Sequence, residues 1–105
     1  MVVTQHNTCT DEINLNFLFC GMTMIPLPYA IYILKCSNGK YYTGFTANLS
    51  QRLKAHQRGE VSFTRNKLPV ELVHVAFFLE KQKAYDFERY LKSGSGIAFR
   101  NKRLI

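Results

Sequence analysis

Hydrophobic and polar positions change character along the chain: no sustained strand or helix period runs through the residues up to Thr23, and strong patterning begins only near Tyr29. Tyr29 to Lys35 is an almost unbroken apolar run rich in Ile and Tyr, which predicts a strand buried on both faces. Ser37-Asn38-Gly39-Lys40 reads as a turn, because Asn-Gly supplies the positive φ angles of a hairpin, and Tyr41 to Thr46 returns as the second strand. Gly44, inside that strand, has no side chain to pack, which predicts a bulge or a close backbone approach. Asn48 is a helix N-cap with Gln51 three residues on, and the helix should stop near Gly59. Leu49 and Leu53 form its inward side, and Arg52 and His56, four apart, stand one above the other on a neighbouring face.

After a polar, basic loop, FTRNKLP, Val70 to Leu79 reads as a third apolar strand interrupted only by Glu71 and His74. Lys81 to Lys92 has helical spacing in Ala84, Phe87 and Leu91, and Ser93-Gly94 closes it. Glu88 borders that buried stripe and is expected to meet a cation, since a half-buried carboxylate is costly to leave unpaired. The tail, SGIAFRNKRLI, is expected to be helical around Ala98 to Lys102. Residues 28–105 thus read as one domain. Residues 1–27 read as an N-terminal extension, either one that packs on the domain or meets a partner, or one that reflects a misplaced start with translation beginning at Met24.

A chain of 105 residues fits one compact core. Its formal charge of +7 points to a polyanionic partner, and all fourteen Lys and Arg lie from Lys35 onward, interleaved with Tyr and Phe. Basic residues mixed with aromatics suit phosphate contact together with base packing; the plainer reading is a solvated surface. Cys9, Cys20 and Cys36 are an odd set without metal-type spacing, which predicts reduced thiols in a cytoplasmic protein. The apolar stretch Ile13 to Ile25 is too short for a membrane span, and Asp11 and Glu12 stand where a secretory signal carries positive charge. No membrane association is expected.

Tyr32 and Tyr42 on adjacent strands, with Arg52 and His56 on the next helix, deliver two phenols, a guanidinium and an imidazole to a small volume. That set suits chemistry at a phosphodiester. Taken singly, the tyrosines read as core aromatics, Arg52 and His56 as an exposed helix face, Glu88 as a structural partner of Arg52 or Arg89, His74 as a core or edge histidine, and Cys36 as a small apolar residue.

In order and spacing, Ala30-Ile31-Tyr32, Tyr42-Thr43-Gly44, Arg52 with His56, and a helical Glu88 resemble the GIY-YIG nuclease superfamily, in particular its small stand-alone bacterial proteins. The turn NGK, the phrase FTRNKLPVELV and the ending AYDFERYLKSGSGIAF agree, and the likeness runs from about Pro28 to Leu104. Ala30 replaces the family's first glycine, and Thr43 its usual aliphatic residue. The resemblance implies an α+β fold, a three-stranded antiparallel sheet flanked by helices with the site on a sheet face. It implies one divalent ion, Mg2+ or Mn2+, held by Glu88. It gives Tyr32 the role of general base on water, Tyr42 that of orienting water or phosphate, and Arg52 and His56 contact with the scissile phosphate.

A free tyrosine titrates near ~10, so Tyr32 as a base calls for a cation that shifts it down. Asn101 is a candidate for an asparagine that many members carry beyond the glutamate, and Lys54, Arg65 and Lys67 are candidate nucleic-acid contacts. The function implied is a metal-dependent endonuclease acting on DNA, in repair or in processing of structured or single-stranded DNA, with a protein partner as one route to targeting. The alternative is a binding module on the same scaffold that does not cut.

Overall fold

A computed structural model describes residues 2–3, 17–20 and 23–105, with side chains from Leu27 onward. Its centre is an antiparallel sheet whose long strands are β4 (Tyr29–Lys35), β5 (Tyr41–Thr46) and β6 (Glu71–Phe78), in the order β6-β4-β5. The two-residue strand β1 (Val2–Val3) adds to the β6 edge, and β2 (Phe17–Cys20) pairs with β3 (Thr23–Pro26) in a separate ribbon. These short strands fall where the sequence shows no sustained period. Main-chain pairing needs no alternation of side chains, so hydropathy does not mark them.

β4 is central, and its five inner residues are buried on both faces, as its unbroken apolar run predicts. The turn into β5 closes with Gly39 at φ +83 and its N–H donating to the Cys36 carbonyl. The close approach expected at Gly44 is present: Gly44 pairs with Tyr32, and a Cβ at residue 44 would lie 2.5 Å from Tyr32 Cζ and Oη. The bulge is elsewhere. His74 faces Ile33 and Leu72 faces Leu34, so Val73 is the extra residue on β6.

Alternation divides the core. Ala30, Tyr32, Leu34, Val75 and Phe77 pack under helix α1 (Leu49–Gln57), while Ile31, Ile33 and Val73 pack under α2 (Lys81–Leu91), whose buried residues are Ala84 and Leu91. His74 shares the register side of Ile33 and is buried, with its charged form disfavoured by that burial. It is a core histidine facing away from Tyr32. α3 (Gly94–Arg103) begins earlier than its sequence suggests. Ser93 does more than stop α2: its hydroxyl donates to the Tyr90 carbonyl and accepts from the Gly96 N–H, capping the next helix. Among the described residues, no helix is long and apolar enough to cross a membrane.

Tyr32 is fully buried and cannot retreat, so Gly44→Ala is expected to destabilise the fold by about 1–3 kcal/mol through overpacking. Urea unfolding midpoints measure it; an unchanged midpoint would mean the Tyr32 ring has room that its burial denies.

Candidate active site

Helix α1 brings the site together because of how it starts and which side it buries. Asn48 Oδ1 accepts from the Gln51 N–H at 3.1 Å, fixing the first turn as expected. Leu49, Leu53 and His56 then fall at helical spacing i, i+4 and i+7, so His56 belongs to the buried stripe and is fully covered. The sequence pairs it with Arg52 on a neighbouring face; the structure turns His56 inward and leaves Arg52 half-buried beside it.

A buried imidazole needs partners for both nitrogens, and His56 has them. Nε2 lies 2.8 Å from the Tyr32 hydroxyl, and Nδ1 lies 2.7 Å from Thr64 Oγ1. Burial, then the nearby Arg52 charge, lower its pKa from 6.5 to about 4, so the ring is neutral at neutral pH and offers one N–H and one lone pair. Thr64, in the loop after the helix, is fully buried. It is a site residue that sequence reasoning missed, since a loop threonine carries no spacing that ties it to a histidine eight positions back.

Arg52 Nε donates to the Tyr32 oxygen at 3.3 Å. The Tyr32 pKa is nevertheless pushed up to about 12, because loss of water around the phenol outweighs the guanidinium's pull. This is opposite to the downward shift that a base role calls for; the sequence shows a cation but not the depth of burial. Tyr42 is half-buried, its ring centroid 6.1 Å from Tyr32 and 5.1 Å from His56. Its far side meets Phe63, at 5.2 Å. Arg52 also walls an open cleft of about 270 Å³ with Asn48, Gln51 and Arg58.

Four of the predicted residues, Tyr32, Tyr42, Arg52 and His56, therefore converge. Glu88 does not join them through any contact described: it sits on α2, whose buried residues line the other sheet face, with Lys92 Nζ 3.4 Å from its carboxylate. That pair supplies the cation expected for it; Arg89 turns to Asp86 instead. Tyr85, three residues before Glu88 and on the same side of the helix, stacks on Phe45 of the outer strand β5 at 4.5 Å. Of the basic candidates, Lys54 is exposed on α1, Arg65 Nε donates to the Gly59 carbonyl, and Lys67 Nζ donates to the Phe63 carbonyl. Asn101 is exposed on α3, its Oδ1 accepting from Arg100.

Residues 28–100 match the GIY-YIG catalytic domain. Among curated proteins, a UPF0213 protein of Clostridium perfringens is 46% identical over 63 residues, 59% of this chain and 68% of that protein. A UPF0213 protein of Streptococcus agalactiae is 40% identical over 70 residues, 66% and 80% of the two chains. The solution NMR structure of a UPF0213 protein from Bacillus halodurans has a TM-score of 0.48 at 30% identity, covering 72% of this chain and 85% of that one.

The His56 pKa gives a stability prediction. A group depressed on folding contributes stability that is present above its unfolded value and lost as pH falls through its folded one. Acidification from pH 6.5 to about 4 should therefore remove about 3 kcal/mol through His56. Urea titrations at stepped pH should show a shallower acid slope in His56→Gln, with the remainder including His74. Equal slopes in the two proteins would mean that His56 titrates like an exposed imidazole.

Proposed function

The chain belongs to the GIY-YIG family, and from that membership we propose that it is a metal-dependent endonuclease hydrolysing DNA phosphodiesters at the Tyr32, Tyr42, Arg52 and His56 cluster. The observation that carries the reading is the unbroken hydrogen-bonded line from Arg52 through Tyr32 and His56 to Thr64. With its pKa pushed up to about 12 by burial, Tyr32 is protonated at pH 7, so the phenol is not a standing base. It is better suited to pass a proton on. In the tautomer that carries hydrogen on Nδ1, Thr64 accepts from that N–H and Nε2 takes the hydrogen bond of the Tyr32 hydroxyl. As water attacks phosphorus, its proton goes to the Tyr32 oxygen while the Tyr32 proton goes to Nε2, leaving no net change at the phenol. The transient imidazolium, which burial and Arg52 disfavour at rest, becomes less costly once the phosphate neutralises the Arg52 charge.

Tyr32 is fully buried, so water has to be admitted to its oxygen, and release of the Arg52 bond is the proposed way in. The Arg52 bond, at 3.3 Å, is long for its type, which makes exchange for a phosphate oxygen inexpensive. The planar guanidinium then takes the phosphate with two parallel N–H bonds. Tyr42, half-exposed, orients the water or the phosphate. Lys54, Arg65, Lys67 and Asn101 are the proposed backbone contacts on either side.

Glu88 is the proposed ligand for magnesium or manganese. Among the described residues no group of three or more His, Cys, Asp or Glu lies together, which disfavours a fully protein-caged metal. One hard carboxylate fits an ion that keeps most of its water. Its ion pair with Lys92 is partly exposed, worth under ~1 kcal/mol, and yields readily to a divalent cation. When bound, such an ion supplies charge for the leaving oxygen. The second reading, a nucleic-acid binding module that does not cut, is favoured by one observation: Glu88 stands on a helix packed against the other sheet face.

Purified protein incubated with labelled single-stranded, duplex and branched DNA, with and without magnesium or manganese, separates the two. Metal-dependent cleavage is expected, abolished in Glu88→Ala with DNA binding retained, and reduced about 100-fold or more in Arg52→Ala, as for loss of a preorganised charge-stabilising donor. Binding without cleavage of any substrate would establish the module instead, and full activity in Glu88→Ala would reject the metal site.

A further inference from the structure

Phe63 is large, apolar and 55% exposed, yet the loop that carries it is anchored on both sides. The next residue, Thr64, is fully buried and bonded to His56. Arg65 Nε donates to the Gly59 carbonyl, and the Lys67 carbonyl accepts from the Ser37 N–H at 2.9 Å, which pins the loop to the β4–β5 hairpin. The ring lies 5.2 Å from Tyr42 and carries the Lys67 ammonium 4.1 Å from its centroid. An exposed aromatic costs free energy in water. Here it sits in a loop anchored at Thr64, carries Lys67 on its ring, has Arg65 two residues away, and contacts Tyr42 of the proposed catalytic cluster. That combination of a π-face and cations is what an unpaired base with its phosphates requires.

We propose that Phe63 is a stacking platform for one unpaired nucleobase flanking the scissile linkage. The base takes the ring face over which Lys67 now lies, while Lys67, with Arg65, turns to the adjoining phosphates. The site selects single-stranded or locally opened nucleic acid, because a base inside a duplex has both faces already covered. This deepens the nucleic-acid reading above and rests on it.

The test uses short single-stranded DNA carrying the fluorescent adenine analogue aminopurine, in chelator so that nothing is cut. Binding to the native protein should quench the analogue. Phe63→Ala should abolish the quench and weaken binding roughly five- to hundredfold, the range for loss of a base–aromatic stack, and Phe63→Trp should restore both. The salt dependence of affinity should stay the same in Phe63→Ala, since no phosphate contact is removed. A collapsed loop would displace Lys67 and Arg65 and flatten that dependence, and this result would overturn the proposal, as would undiminished quenching in Phe63→Ala or no binding of single strands by the native protein. Cleavage is then measured separately with magnesium. Quenching without cleavage by the native protein sinks the nuclease reading and leaves the platform standing; cleavage with no effect of Phe63→Ala on binding or quenching does the reverse.

Discussion

Tyr32 carries its hydroxyl to a place that water does not reach, and much of the architecture on that side of the sheet follows from having to match it there. A buried phenol with no partner would cost about 1–3 kcal/mol. His56 meets it at 2.8 Å and Arg52 at 3.3 Å, both from one helix whose register is set by Asn48. The ring itself fits only because the cross-strand residue is Gly44. His56 in turn is buried and must be matched, which draws Thr64 and its loop inward. Each polar group thus creates a requirement that the next one meets, until the line ends at a hydroxyl able to donate and accept. Loss of a buried member, Tyr32, His56 or Thr64, would leave the remaining groups dry and unpaired.

The long strands, the Asn-Gly turn and the first two helices were legible because periodicity and turn chemistry act locally and agree with one another. Four catalytic candidates could be named because a family pattern links residues that no period connects. The limits are physical as well. Arg52 and His56 look like a surface pair at four-residue spacing, and only the stripe of Leu49, Leu53 and His56 reveals that the imidazole turns inward. Thr64 could not be found, because a loop residue meets its partner through a fold-level return of the chain. The early start of α3 was hidden because Gly94 and Gly96 read as breakers. A side chain at residue 96 would run into the Tyr90 carbonyl, so the glycine serves the close packing of α3 on α2.

The sign of the Tyr32 shift carries the same lesson for chemistry. A sequence shows that a guanidinium is near a phenol; it does not show how much water has been removed from both. Loss of hydration wins here, and the phenol is held more firmly protonated than in solution. Electrostatic roles assigned from residue types alone are therefore safest for Arg52, whose charge survives any environment, and least safe for groups whose proton is decided by burial.

The hydrogen bonds of the site join residues 24, 20 and 8 positions apart, all between Tyr32 and Thr64. Loop-closure entropy grows only with the logarithm of such separations, so one hairpin, one helix and one loop can assemble the whole line with little topological cost. These separations are shorter than those of the return that brings β6 alongside β4. Glu88 lies outside that span, so the polar cluster closes within one short stretch of chain and the carboxylate is supplied by a later one.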